Sequence, residues 1–294
     1  TADNYLDWPK LPELFPTSFP GVQSKRDDLV VDTDRERLID RVKAYFNSSV
    51  SHSQMAERCS RAMANTNKAY DPVAMRESYQ EKEFLPEYIV RYQFRAMDTR
   101  WIYWEPRGDL LGRKSPDFFP NVFPGNAFVE ARRRDSKKFS RGTVTSLLAD
   151  NFGAGFSNFF PIYTSPESNG GDLFSPSDGS GAPIPNLSPQ AERYVQAHGA
   201  SVETLFYHSI AVMHAPTYRQ ENEGALRQDW PRIPLPDDTD VLRESAELGR
   251  EVAALLDVEE DVPGVDTGRV REELRLLGQP EHSEPGRSLQ TSDF

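Results

Sequence analysis

Apolar and polar positions along the chain follow two different periods. Between residues 33 and 46, Leu38, Ile39, Val42, Tyr45 and Phe46 recur at helical spacing, which predicts a helix capped by Asp32 or Thr33. A second helix is expected over 52–64. A third is expected over 72–82, opened by Asp71-Pro72, a capping acid followed by a proline suited to the first turn. The period then drops to two. In EYIVRYQFR, residues 87–95, Tyr88, Val90, Tyr92 and Phe94 alternate with Ile89, Arg91, Gln93 and Arg95. That pattern predicts a strand with one packed face and one cationic face. WIYW, residues 101–104, is a second strand, joined to the first through a short turn at 96–99, and bulky residues on both its faces predict burial on both. Further strands are expected at 126–132 and 157–163. Helical spacing returns at 188–198, at 201–214 (Val202, Leu205, Phe206, Ile210, Met213), at 216–224 and at 238–256. The last carries the stripe Val241, Leu242, Leu248, Val252, Leu255 and Leu256.

Proline, glycine and serine mark what lies between. WPKLPELFPTSFPGVQ near the start reads as an extended segment wrapping a surface, and LRQDWPRIPLP at 226–236 is too rich in proline to be regular. Residues 164–186 read as a flexible insertion, and 257–294 as a weakly periodic acidic segment. There is no internal repeat. Helices, then a small sheet, then helices predict an α+β architecture: a helical connector followed by a mixed small sheet flanked by helices. The strands lack regular crossover helices, so a doubly wound sheet is not expected. The expected division is a connector at 1–70, a main domain at 71–256 and the acidic segment at 257–294.

Composition narrows the class. A chain of 294 residues can bury a sizeable core. It has no apolar run long enough to span a bilayer and no signal-peptide pattern at its start. Its ends, without an initiator Met and with SLQTSDF, read as those of a piece of a longer protein. The single cysteine, Cys59, allows no internal disulfide and suits the cytoplasm; it is expected to be packed rather than reactive. The net charge of −12 opposes nucleic-acid binding at first sight, but it is unevenly spread. Residues 236–294 hold 16 acids and 6 bases, whereas residues 91–142 hold 12 bases and 6 acids. A polyanion meets the local field, so a basic patch on a near-neutral body remains open.

Few motifs carry chemistry. FGAGF at 152–156 has the glycines of a cofactor loop, but it leads into an expected strand where such a loop needs a helix. A glycine turn is the simpler reading. No phosphate-binding Gly-x-x-x-x-Gly-Lys loop, no amino-methyltransferase Pro-Pro-Tyr/Phe motif and no Glu-x-Lys nuclease signature after Ser115-Pro116-Asp117 is found. His208 and His214 lie six apart on one expected helix and do not share a face, so no metal site is expected. The strongest local signal is cationic. Arg132, Arg133, Arg134, Lys137, Lys138 and Arg141 gather in one expected loop, and Arg100, Arg107, Arg113 and Lys114 surround the second strand. Such cations suit phosphates and guanine edges. On charge alone, a solvated loop face explains them as well.

Several strings go beyond composition. FRAMDTRWIYWEPRGDLLGRKSP at 94–116, LFYHSIAVMHAPTYR at 205–219 and DWPRIPLP at 229–236 keep unusual residues at fixed spacing. So do LPELFPTSFPGVQSKRDDLVVD near the start and VPGVDTGRVREELR at 262–275. In this order the strings resemble the C-terminal specificity region of type ISP restriction–modification enzymes and their type IIG relatives. The resemblance covers roughly residues 10–275; it does not extend to 164–186.

The resemblance implies a target-recognition domain that reads double-stranded DNA for an adenine-N6 methyltransferase located elsewhere in the same polypeptide. It implies no catalytic residues and no cofactor in this chain, with S-adenosylmethionine, and Mg and ATP where a motor is present, belonging to the parent. It also implies that the recurring strings are scaffold, with Asp98 and Arg100 paired and His214, Tyr218, Arg219 and residues 231–234 serving packing and turns. DNA contact is then expected at Arg132, Arg133, Arg134, Lys137, Lys138, Arg141, Arg107, Arg113 and Lys114. The rival readings are a protein-interaction module with an acidic tail and a self-contained methyltransferase using FGAGF.

Overall fold

A computed structural model describes residues 4–64, 70–106, 108–134, 142–151, 157–166 and 181–259. The chain is α+β, as expected. Short helices α1 (Leu11–Leu14) and α2 (Asp27–Val30) and two-residue strands β1 (Phe19–Pro20) and β2 (Val31–Asp32) precede a helical group. That group comprises α3 (Arg35–Phe46), α4 (His52–Arg58), α5 (Ser60–Ala64) and α6 (Pro72–Gln80). Strands β3 (Ile89–Arg95), β4 (Asp98–Tyr103), β5 (Phe128–Ala131), β6 (Val144–Thr145), β7 (Leu148–Ala149), β8 (Asn158–Pro161), β9 (Tyr163–Thr164) and β10 (Ile184–Pro185) follow. Helices α7 (Pro189–Ala197), α8 (Val202–His214), α9 (Pro216–Leu226) and α10 (Thr239–Leu256) complete the described chain. Among the described residues no helix is long and apolar enough to cross a membrane.

Local chemistry explains where the helices begin and end. The cap of α3 is Asp34, not Asp32 or Thr33: its carboxylate accepts from the amides of Glu36 and Arg37 at 2.9 and 3.1 Å. Asp32 belongs to β2 instead and takes the Arg41 guanidinium at 2.6 Å. Asp71 caps α6 as expected, accepting from Val73 and Ala74. The single helix expected over 52–64 is broken at Cys59. There the Asp28 carboxylate accepts from the amides of Arg61 and Ala62, at 2.7 and 3.3 Å, and starts a new helix. Cys59 is buried, its thiol donating to the Met55 carbonyl, and burial pushes its pKa up to about 11. The C-terminal end of α3 leaves carbonyls without helical partners. The buried Arg76 collects them, reaching the carbonyls of Tyr45 and Asn47 at 3.1 and 2.9 Å and those of Ala44 and Val50.

Two four-stranded sheets organise the core, in the orders β2-β4-β3-β7 and β1-β8-β5-β6. Strands β3 and β4 form the expected hairpin, turning at Met97, whose φ of 58° lies in the left-handed region. The division of β3 into a packed and a cationic face does not hold. Its buried residues are Ile89, Tyr92 and Gln93, which lie on both faces, so the face that carries Arg91 is packed as well. Burial on both faces of β4 does hold, with Ile102, Tyr103 and Trp104 all buried. The second sheet separates two hydrophobic clusters. Phe128 and Phe159 join the cluster built by β2–β4 and α2–α6, whereas their neighbours Val129 and Phe160 join that of α1 and α7–α10. Alternation along β5 and β8 therefore supplies both cores from one pair of strands.

The apolar stripe expected on α10 holds in part: Leu242 is buried, and Val252 and Leu256 pack against the second cluster. Leu242, Ala246, Gly249 and Ala253 are buried, while Val241, Leu248 and Leu255 are 50, 60 and 50 % exposed. Helix α8 approaches so closely that small residues make the contact: a Cβ on Gly249 would lie 1.8 Å from the Tyr207 carbonyl oxygen.

His208, on α8, contacts the Ser245 hydroxyl and the Pro234 carbonyl, each at 2.8 Å. Burial holds its imidazole below the ordinary value of 6.5. The folded state thus binds this proton more weakly than the unfolded chain does. Its stabilising contribution is full above about pH 6.5 and is lost as pH falls through the folded-state value. Thermal midpoints measured from pH 7.5 to 5 should fall less for His208→Gln than for the parent chain; equal slopes would rule out His208 as a source of acid sensitivity.

Candidate nucleic-acid interface

The expected cations fall into three environments. Arg132, Arg133 and Arg134 leave the end of β5, whose four residues are all buried. Arg132 is mostly covered and lies 4.0 Å from Glu130, a buried carboxylate that also accepts the Ser157 hydroxyl. Arg133 is 69 % exposed and lies 4.0 Å from Asp229, which Lys10 holds more tightly at 2.7 Å. Partial burial pushes the Asp229 carboxyl up, but Lys10 and Arg133 outweigh it and keep the group below its usual range. Arg134 is exposed. Arg113 is also exposed; its guanidinium lies 3.4 Å from the Asn151 side-chain oxygen, and its backbone bridges to Gln23. The Lys114 ammonium lies 3.5 Å from Asp109, and its carbonyl accepts the Trp104 indole at 2.7 Å. Lys137, Lys138, Arg141 and Arg107 lie outside the described residues.

A short chain of contacts links two of these groups. Arg113 touches Asn151, the Asn151 carbonyl accepts the Ser157 amide, Ser157 donates to Glu130, and Glu130 lies against Arg132. The cations after β5 and those after β4 are therefore linked through Asn151 and Ser157. FGAGF, at 152–156, lies outside the described residues. Its neighbours are β7 before and β8 after, so the helix a dinucleotide loop requires is replaced by a strand.

The arginines of the β3–β4 hairpin are bound to acids. Arg100 makes a two-pronged contact with Asp98, at 2.9 and 2.8 Å, as expected. Arg95 reaches Asp150 at 3.0 Å, and Arg95 and Arg100 lie over the Phe94 ring at 4.0 and 4.1 Å. Arg91 lies over Trp101, opposite it in register, and pairs with Glu259 beyond α10. In the sequence Arg91 stood only on the expected cationic face; the cross-strand register aligns it with Trp101. Among the described residues no three His, Cys, Asp or Glu side chains gather as a metal site.

The family description "Type ISP C-terminal specificity domain" matches residues 13–287. The chain belongs to this family.

Solved structures agree on the fold of the specificity domain. A DrdV–DNA complex determined by cryo-electron microscopy aligns with a TM-score of 0.64 and 21 % identity, over 85 % of this chain and 24 % of that one. The type ISP enzyme LlaBIII bound to DNA aligns with a TM-score of 0.67 and 15 % identity, over 90 % of this chain and 18 % of that one. A nuclease-deletion mutant of the type ISP enzyme LlaGI, in complex with a DNA substrate mimic, gives 0.60 and 17 %, over 90 % of this chain and 20 % of that one. The specificity domain thus spans about a quarter or less of the length of these proteins. A comparison with curated proteins finds no match.

Three of the strings that carry the resemblance can be placed on described elements. DTRWIY forms β4, and LFYHSIAVMH lies within α8. The irregular DWPRIPLP segment holds its place by backbone carbonyls: Arg232 accepts the Tyr218 hydroxyl at 2.8 Å, and Pro234 receives His208.

Proposed function

We propose that this specificity domain recognises duplex DNA for a longer restriction–modification enzyme, holding it against a methyltransferase domain of the same polypeptide. The observation that carries this reading is the family match across residues 13–287. The three structural relatives, all described with DNA or a DNA mimic, support it. Residues 1–70 would connect to the methyltransferase, and an adenine would be flipped into that domain's pocket. The chain needs no cofactor for this role. S-adenosylmethionine, with Mg and ATP where a motor is present, would serve the parent enzyme, which would act in the cytoplasm.

DNA contact is assigned to Arg132, Arg133, Arg134, Lys137, Lys138, Arg141, Arg107, Arg113 and Lys114. Arg113, Arg133 and Arg134 are the exposed members among the described ones. Arg132 and Lys114, leaning on Glu130 and Asp109, would have to exchange those partners for phosphate. Charge reversal of Arg132, Arg133, Arg134 and Lys137 together should abolish duplex binding measured by fluorescence anisotropy. For the parent chain, each phosphate neutralised steepens the log–log salt slope by about 0.9. Unchanged affinity in the reversed chain would overturn the site assignment.

A protein-interaction module is the second reading, favoured by Val241, Leu248 and Leu255 exposed seven residues apart on α10. Binding through that face would be insensitive to salt.

A further inference from the structure

The face of the β3–β4 hairpin carries an arrangement suited to one oxyanion. Arg91 and Trp101 are directly opposed across the hairpin, and the Arg91 guanidinium lies over the indole at 5.0 Å from the ring centre. Arg35, on α3, lies over the same indole at 5.6 Å. The Arg91 terminal nitrogen also donates to the Thr99 hydroxyl at 2.8 Å. The contact with the indole and the bond to Thr99 hold the guanidinium on the hairpin face, so its donors do not sweep freely through solvent. Acids near the indole are already engaged. Asp32, opposite Trp101 on β2, is held by Arg41 at 2.6 Å and Arg37 at 3.3 Å, and Glu36 pairs with Arg35.

In this structure a carboxylate occupies the seat. Glu259 meets Arg91 with both its oxygens and accepts the Thr99 hydroxyl at 3.1 Å. The turn that delivers it is held by Asp257, which accepts the Glu259 amide at 3.0 Å and the Ser146 hydroxyl at 2.9 Å. A forked guanidinium with a hydroxyl beside it binds a phosphate as readily as a carboxylate. The hairpin that carries the seat also contacts the segment leading into β6. Gln93 is paired with Thr99 in the hairpin register and donates to the Thr143 hydroxyl at 3.3 Å, and Thr143 follows the cationic loop by two residues.

We infer that Arg91, Thr99 and Trp101 form a seat for one backbone phosphate of duplex DNA, and that Glu259 fills it until DNA arrives. This rests on the DNA-recognition reading. The seat extends the contact surface from the loop ends onto the hairpin, and it makes the acid beyond α10 a competitor of DNA for one arginine.

The test uses the 294-residue chain and a random-sequence duplex, by fluorescence anisotropy across a salt series. Glu259→Gln should tighten binding about threefold to fivefold, the size of one part-exposed ion pair. It should also steepen the log–log salt slope by about 0.9, one further phosphate. Glu244→Gln removes the same charge from an exposed position on α10 and controls for net charge; it should change affinity less than about twofold. Adding Thr99→Val, or separately Arg91→Gln, to Glu259→Gln should erase the gain, and unfolding curves report whether each variant is folded. Equal affinities for Glu259→Gln and Glu244→Gln would overturn the seat while leaving DNA recognition in place. Absence of duplex binding by every variant at low salt would overturn both. A gain for inorganic phosphate by calorimetry without a gain for duplex would assign the seat to free phosphate and overturn the DNA assignment.

Discussion

Gly249→Ala should lower the thermal midpoint of this protein, reversing the sign ordinarily expected for a glycine inside a helix. On an exposed helix the change would stabilise by about 1 kcal/mol, since glycine loses more backbone entropy than alanine. Here the added methyl would sit 1.8 Å from the Tyr207 carbonyl oxygen, backbone that cannot swing aside. Helices α8 and α10 must separate, and Ala246 and Ala253, buried on the same face, lose contact with them. Overpacking of this kind costs about 1–3 kcal/mol or more. For a domain of this size each kcal/mol moves the midpoint by roughly 2–4 °C. Gly224 supplies the control. It lies within α9, and an added Cβ meets nothing within 4 Å. Gly224→Ala should raise the midpoint while Gly249→Ala lowers it, both followed by circular dichroism. A rise for both would mean that α8 and α10 are farther apart than described.

Arg76→Met should be comparably damaging for a different reason. Methionine preserves much of the volume and removes the donors. The carbonyls of Ala44, Tyr45, Asn47 and Val50 then lose this partner in a site where Arg76 itself is fully buried. A buried carbonyl stripped of its hydrogen-bond partner costs about 1–3 kcal/mol, so the loss for the four together should reach about 4 kcal/mol or more. The urea midpoint should fall accordingly. Arg76→Lys should recover little, because a single ammonium cannot span carbonyls from both the end of α3 and the loop after it. Full recovery by lysine would show that the charge, not the spread of donors, holds this corner together.

Both effects come from features that a linear reading does not display. The hairpin was legible because alternation, two aromatic strands and a short connection all occur within residues 87–104, and the Asp98–Arg100 pair is local. The inner face of α10 was legible only in part: Leu242, Val252 and Leu256 of the stripe do face the core, but the close contact is made by Ala246, Gly249 and Ala253, residues that carry little hydrophobic signal. The stripe's other large side chains, Val241, Leu248 and Leu255, face outward. The break at Cys59 was hidden because the acid that starts the next helix, Asp28, is far away in sequence. Two-residue strands such as β1, β2 and β7 are too short to show any period. At the candidate interface the cations were plain in the sequence, but their partners were not. Glu130 is close to Arg132 in sequence, yet its burial comes from the second sheet, and Asp229 and Glu259 reach Arg133 and Arg91 only through the fold.

The double use of strand β5 has a consequence for how such a protein can be retargeted. Phe128 and Val129 serve opposite cores, so a slip of one residue would invert both at once, and the strand tolerates no change in length. The ends of the connection it feeds are held as well: Arg132 lies against the buried Glu130, and Gly142, at a φ of 74°, has no room for a Cβ beside the Glu130 carbonyl. Residues 132–142 leave β5 and return to β6 over a base closed by the Glu130 amide on the Thr143 carbonyl, at 2.8 Å. Under the proposed DNA contact, a cassette exchanged between Arg132 and Gly142 would leave both cores and these two anchors in place, and would change the contacting side chains without refolding the scaffold.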